Sequence, residues 1–277
     1  MPNKGPKTEE AEAAPSAKGE HGPDFVQSLA RGLLVIRAFS DQTPSMTLSE
    51  VARQTGLTRA AARRFLYTLE VLGYVRSNGR YFSLQPKVLD LGYSYLSSFH
   101  IWEIAEQHME ALVNEVHESC SITVLDGPDI VYVARVATKR IFSAYLSVGS
   151  RLPAYPAAMG RVLLAHLPPD ELDAYLATVD LVPLTSKTIT DPKRLRAALG
   201  TIRNQGWALV DQELEDGIRV LAAPVRRGVD GPVIAAMNLS SHASRVKLST
   251  VKELFLPRLL ETTAAISRDM GRLPSFG

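Results

Sequence analysis

Residues 47–84 read TLSEVARQTGLTRAAARRFLYTLEVLGYVRSNGRYFSL. A short helix fits Leu48 to Gln54, with Thr47 as N-cap and Glu50 at the third helical position, the pattern of a capping box. Gly56 breaks it. Thr58 is a second good N-cap, and the helix it opens runs to about Leu72, where Gly73 stops it. Two short strands follow, Tyr74–Arg76 and Arg80–Leu84, joined through Asn78-Gly79, the strongest short hairpin signal. Helix, glycine turn, helix and hairpin make a winged helix-turn-helix.

The second helix has two faces. Ala62, Phe65, Leu66 and Leu69 share one side at the helical period. Arg59, Ala60, Arg63 and Tyr67 point the other way, with Arg64 on the flank. Small residues at Ala60 and Ala61 let the helix approach a surface closely. Arginine takes guanine O6 and N7, or a phosphate, with two donors at once. Three arginines on a helix are also what an ordinary solvated face would show. The glycine turn, the second cap and the Asn-Gly wing decide for DNA. The expected contacts are Thr58, Arg59, Ala60, Arg63, Arg64 and Tyr67 on the helix and Arg80 on the wing.

Charge supports this placement. The chain of 277 residues carries a net charge of only +2. Residues 24–85 hold eight Arg against four Asp/Glu, while the segments on either side are each at −1. The positive balance sits on the segment read as DNA-binding. Hydrophobic residues make up 45% and charged residues 22%, the balance of a globular protein able to bury a core. The single cysteine, Cys120, excludes an intramolecular disulfide. No apolar run approaches the ~18 residues of a membrane span, and no apolar signal core opens the chain, so a cytoplasmic location is expected.

Outside the helix-turn-helix, residues 1–23 lack an apolar period and read as a disordered tail. Phe25 to Phe39 carries a helical stripe and completes the DNA-binding domain at 24–85. Residues 86–102 read as a linker helix opened by Pro86. Its aromatic residues Tyr93, Tyr95, Phe99 and Trp102 exceed what an isolated helix buries, which favours pairing with a second copy. Residues 103–272 alternate helices and strands. The helices are Ile104–Glu118, Pro156–Leu167 with Pro156 at the first position, Pro169–Thr178, Pro192–Gln205 and Leu248–Met270. The strands are Cys120–Leu125, Ile130–Ala137, Ile141–Val148, Trp207–Gln212, Val220–Arg226 and Val233–Ser240. The fold class is α+β, an antiparallel sheet flanked by helices.

This second domain shows little catalytic or metal chemistry. Its histidines lack metal-ligand spacing, there is no nucleophile elbow and no phosphate-cradling glycine loop, so no metal, cofactor or enzymatic activity is expected. Three segments could face a ligand: Arg151 to Gly160, with free backbone N–H groups at a helix start; the acidic bend Asp211 to Val220; and Asn238-Leu239-Ser240. On spacing alone they read as a plain helix start, a solvated turn and a strand edge respectively.

These motifs together resemble the isocitrate lyase regulator (IclR) family of bacterial transcription factors. The likeness covers residues 25–270. It rests on Ser28-Leu29-x-Arg31-Gly32-Leu33, the helix-turn-helix, Leu152-Pro153 followed by Ala158-Met159-Gly160-Arg161-Val162-Leu163-Leu164-Ala165, and Glu213-x-Glu215-x-Gly217-Ile218 followed by Ala222-Ala223-Pro224-Val225. Phe25 to Gly32, Leu57 to Arg64 and Arg151 to Tyr155 look like the aromatic-acid subgroup, which regulates protocatechuate, 4-hydroxybenzoate and β-ketoadipate catabolism and whose members mostly activate transcription. The resemblance implies a winged helix, a linker helix, a GAF-like effector domain, a dimer or dimer of dimers on operator DNA, and contact with RNA polymerase. It implies an effector pocket lined by Ile141, Ala144, Ala158, Met159, Asp211, Ile218, Val220, Asn238 and Ser240, for a small organic acid. Ala157-Ala158 departs from the Ser or Thr that subgroup members often carry before Met-Gly. A repressor of another carbon-source operon and an architectural oligomer without effector are the competing readings.

Overall fold

A computed structural model describes residues 22–98, 101–138 and 146–272. The chain divides into two compact units between Tyr95 and Leu96.

The first unit is a winged helix-turn-helix. Helix α1 spans Gln27–Arg37, α2 Leu48–Thr55 and α3 Arg59–Val71. Both halves of the capping box form at α2: the Thr47 hydroxyl accepts from Glu50 N, and Glu50 Oε2 accepts from Thr47 N at 2.7 Å. Gly56 ends α2 at φ +65°, a conformation that disfavours any residue with a Cβ. Strands β2 (Val75–Ser77) and β3 (Tyr81–Leu84) form the wing around Asn78-Gly79. Asn78 Oδ1 accepts from Arg80 N and Tyr81 N and closes its tip. A two-residue strand β1, Met46–Thr47, pairs with β3 and completes a sheet of order β1-β3-β2. The core is Val35, Val51, Ala62, Leu66, Leu69 and Val75 with their neighbours.

The linker helix starts later than the sequence suggests. Pro86–Val88 form a 3-10 turn, and helix α4 covers Leu89–Ser98. Phe99 and the Trp102 side chain lie outside the described residues. Leu89 and Tyr93 are 72% and 69% exposed.

The second unit is α+β. Helix α5 runs Ile101–Val116 and stops one residue before His117, which takes φ +57°. Strands β4 (Ser119–Asp126) and β5 (Asp129–Val136) form a hairpin, and β6 (Arg151–Pro153) pairs on the outer edge of β5. Helices α6 (Ala158–Ala165), α7 (Pro169–Thr178) and α8 (Pro192–Gln205) follow. Strands β7 (Ala208–Asp211), β8 (Ile218–Arg226) and β9 (Val233–His242) finish a six-stranded antiparallel sheet of order β6-β5-β4-β9-β8-β7.

The sheet separates two cores, because successive strand residues point to opposite faces. On β9, Ala235, Met237 and Leu239 pack with α5 residues Met109 and Leu112 and with Leu259 and Ile266 of the last helix. Ala236 faces the other way, into the core of α6 and α8. By the same alternation Asn238 and Ser240 share that second face, as do Ile218, Val220 and Ala222 on β8.

Three sequence expectations are corrected here. The helix after Pro156 begins at Ala158, with Ala157 as an extended N-cap, so Pro156 precedes the cap instead of opening the helix. The strand expected at Ile141–Val148 falls largely on residues outside the described ones, Ile141 and Ala144 included. Its described end, 146–148, is not strand; a turn at Gly149, φ +90°, precedes the short β6. The closing helix is not uniform. It comprises α9 (Leu248–Thr250), a π turn (Val251–Phe255) and α10 (Leu256–Met270). Pro257 offers no N–H to the carbonyl four residues back, and the helix widens immediately before it.

Candidate nucleic-acid interface and effector pocket

Helix α3 buries Ala62, Leu66 and Leu69 and leaves Arg59, Ala60, Arg63, Arg64 and Tyr67 exposed. Thr58 is engaged in capping: its hydroxyl accepts from Ala61 N at 3.2 Å. Among the described residues no hydrogen bond or ion pair occupies the guanidinium of Arg59, Arg63 or Arg64. Two unpaired cations on one face of a helix and a third on its flank form a surface ready for anions. On the wing, Arg80 stacks over the Tyr81 ring, 5.3 Å from its centroid. Arg76, absent from the sequence expectation, donates from Nε to Ser83 Oγ across the hairpin.

The second unit holds a pocket under the start of α6. Pro156, Ala157, Ala158 and Met159 line one side, and Val210, Leu214, Ile218 and Val220 another. Tyr132 of β5 closes it, and the non-atom space, open mouth included, is about 310 Å³. All of α6 is buried. As its first three residues, Ala158, Met159 and Gly160 have N–H groups with no acceptor inside the helix. Among the described residues no side chain caps them. The helix start packs tightly on the preceding loop: a Cβ on Gly160 would sit 2.1 Å from the Ala154 carbonyl oxygen, so only glycine fits.

A buried ion pair joins the two sides. Arg161 donates from Nη1 and Nη2 to Glu213 at 2.7 and 2.6 Å, and from Nε to the Tyr155 carbonyl at 2.7 Å. Glu213 Oε2 also accepts from Ile189 N. Thr185 and Thr188 donate to the carbonyls of Gln212 and Glu213, and Tyr155 donates to Val182 O. The bend at 212–217 and the segment 182–189 are thereby tied to the loop that positions α6.

Of the residues expected to face a ligand, Ala158, Met159, Ile218 and Val220 meet at this pocket. Asn238 and Ser240 lie on the same face of the sheet, paired with Ala222 and Val220. Asn238 Oδ1 already accepts from Ser121 N at 2.8 Å. Asp211 is not brought there. It neighbours Val210, which lines the pocket, and the strand alternation turns it to the opposite face. There it meets Arg219 at 3.0 Å. Burial pushes its carboxyl up, but hydrogen bonds from Arg219 and Gln212 outweigh this and hold it below the usual range. Arg151 is also committed elsewhere, to Asp126 and Asp129 across the β4–β5 turn. The sequence reading missed Tyr132, Arg161 and Arg135, whose Nη1 donates to Ser121 Oγ. A lone charge inside the apolar run Met159 to Ala165 was the available signal for Arg161.

Residues 93–268 match the family model described as bacterial transcriptional regulator IclR C-terminal, and residues 28–79 match the IclR helix-turn-helix domain. The chain belongs to the IclR family. It is a transcriptional regulator with a DNA-binding helix-turn-helix and an effector-binding domain, and not an enzyme. It is 46% identical to the Pca regulon regulatory protein of Pseudomonas putida, over 90% of this chain and 84% of that protein. The p-hydroxybenzoate hydroxylase transcriptional activator of Acinetobacter baylyi is 34% identical, over 89% of this chain and 92% of that one. A solved structure from Rhodococcus sp. RHA1 superposes with TM-score 0.80 at 52% identity, covering 89% and 98% of the two chains. The inducer-binding domain of PobR from Acinetobacter, a double mutant in complex with 3-hydroxybenzoic acid, superposes with TM-score 0.57 at 30% identity, covering 60% and 97%.

Proposed function

We propose that this IclR-family regulator binds operator DNA through α3 and the wing and controls aromatic-acid catabolism in response to a small organic acid held under α6. The observation that carries the effector reading is the pocket itself. Uncapped N–H groups of Ala158 and Met159 stand at the positive end of a buried helix, beside an apolar wall of Met159, Ile218 and Val220. A carboxylate suits the first and a ring or carbon chain the second. The named relatives support the same pathway and inducer class. Protocatechuate, 4-hydroxybenzoate and β-ketoadipate are the candidate effectors, and activation is the proposed sign, through contact with RNA polymerase.

The regulator acts as a homodimer or a dimer of dimers. Leu29 and Leu33 on α1 and Leu89 and Tyr93 on α4 expose apolar side chains that a second copy would cover. Calorimetry of the full chain with the three acids tests the effector. One of them binds, and Ser240→Ala weakens it by about 1.5–3 kcal/mol while DNA binding stays intact. Binding of a bulky apolar compound, with none of the acids, would sink the anion pocket.

A further inference from the structure

The pocket wall contains one hydroxyl group, that of Tyr132, whose hydrogen bonds are unspent among the described residues. Tyr132 is 4% exposed and lines the pocket, yet its phenol meets no partner among the described residues. Thr123 lies directly opposite on β4 and is wholly buried, and its Oγ1 is also unpaired. Directly opposed residues share a face, with Cβ atoms about 4.5–5.5 Å apart. The two side chains therefore share the sheet face that also carries Ala236, Asn238 and Val220, with the Thr123 hydroxyl close to the strand and the Tyr132 phenol reaching away from it.

Buried polar groups in folded proteins are normally satisfied, so each exception asks for a reason. The fold does satisfy the tyrosine just ahead of α6: Tyr155, equally buried, donates to Val182 O at 2.6 Å. At Tyr132 no described residue supplies a partner. Burial pushes its phenol up to about 12, so it remains a neutral donor at physiological pH. A neutral donor beside Met159, Ile218 and Val220 matches a neutral oxygen, while the charged end of an acid has the helix start to meet.

We propose that Tyr132, seconded by Thr123, is the specificity-determining residue of this pocket: its phenol donates to an effector oxygen other than the carboxylate. This rests on the effector reading above and sharpens it. The ligand is a carboxylic acid bearing a second oxygen, a ring hydroxyl or a keto group. An acid lacking that oxygen covers the Tyr132 phenol without pairing it and is disfavoured, as at other sites built to hydrogen-bond a hydroxyl.

Calorimetry of the full chain with two pairs of acids tests this: 4-hydroxybenzoate against benzoate, and β-ketoadipate against adipate. The oxygenated member of at least one pair binds about tenfold or more tightly than its partner, as a charge-free hydrogen bond allows. Tyr132→Phe removes most of that preference and leaves the affinity for the deoxygenated member within about twofold. Thr123→Val, nearly identical in volume, removes a smaller part, and it decides the matter if Tyr132→Phe fails to fold. Equal weakening of both members would make Tyr132 a carboxylate ligand and overturn the proposal. So would a preference that survives both variants. If the wild type binds none of the four acids, the effector reading itself falls and this proposal with it; a surviving preference would instead overturn the Tyr132 assignment alone.

Discussion

Helices α3 and α6 use arginine in opposite ways. On α3, Arg59, Arg63 and Arg64 stand in solvent without a partner among the described residues. On α6, Arg161 is 3% exposed and spends its guanidinium on Glu213 and the Tyr155 carbonyl. The starts differ too: Thr58 caps α3 with its side chain, whereas Ala157 leaves α6 uncapped. In α3 the missing anion must come from outside, and the cap secures a helix that must hold its shape at a surface. In α6 the anion comes from within, and the open helix start is what remains for a ligand. An arginine in a helix thus says little until the location of its counter-charge is known.

The buried pair gives the largest effect. Glu213→Leu leaves the Arg161 charge without its partner and costs about 3–5 kcal/mol of stability, measured by chemical denaturation. The double variant Arg161→Met, Glu213→Leu recovers most of that loss, because an apolar pair of similar volume needs no counter-charge. If the single and double variants are equally unstable, the pair is not the joint described here.

On α3 the balance is reversed. Arg59→Ala or Arg63→Ala loses about 1–3 kcal/mol of operator affinity where the guanidinium grips a guanine, and relaxes specificity at that base. Stability changes by less than about 0.5 kcal/mol, since no internal partner is lost. Fluorescence anisotropy across a salt series separates this from a phosphate contact, which weakens all sequences alike. Unchanged affinity in all three alanine variants, Arg64→Ala included, would remove α3 from the interface.

The caps sharpen the contrast at about 1 kcal/mol. Thr58→Ala destabilises the first unit by roughly 0.5–2 kcal/mol, seen as a lower denaturation midpoint. The smallest effect is at the far end of α6, where His166 is half-buried near Arg226 and Arg203. Burial first, and then those two cations, depress its pKa below the ordinary value. In the unfolded chain it titrates near pH 6.5, so the unfolded state takes up the proton first. Stability from this group is present above that pH and is lost as the pH falls below it. His166→Asn flattens the stability profile between about pH 7 and 5; an unchanged slope would assign the acid sensitivity to other groups.

What could be read from the sequence followed from how far each interaction reaches along the chain. The capping box spans Thr47 to Glu50, and the wing turn spans Asn78 to Tyr81. Both are local and were legible. Strand β1 was not, since two residues become a strand only by pairing with Tyr81 and Phe82. Arg161 finds Glu213 at a sequence separation of 52, and no local pattern announces the partner. Asp211 was placed in the pocket by motif, although the alternation of β7 already turned it away from Val210. Tyr132 sat unremarked inside an apolar strand, because only the register shows that its neighbour Thr123 is another unpaired hydroxyl.

The strict division of β8 and β9 between two cores has an evolutionary consequence. Ile218, Val220, Asn238 and Ser240 belong to one face, while Leu221, Ala223, Met237 and Leu239 hold α5 and the closing helix on the other. The two sets share a backbone but occupy separate packing problems. A duplicated gene could therefore exchange every second residue of these strands and acquire a new inducer, with no repacking of the opposite core. Heritable change in what the protein senses is cheap in this architecture, while change in what the strands support on their other side is not.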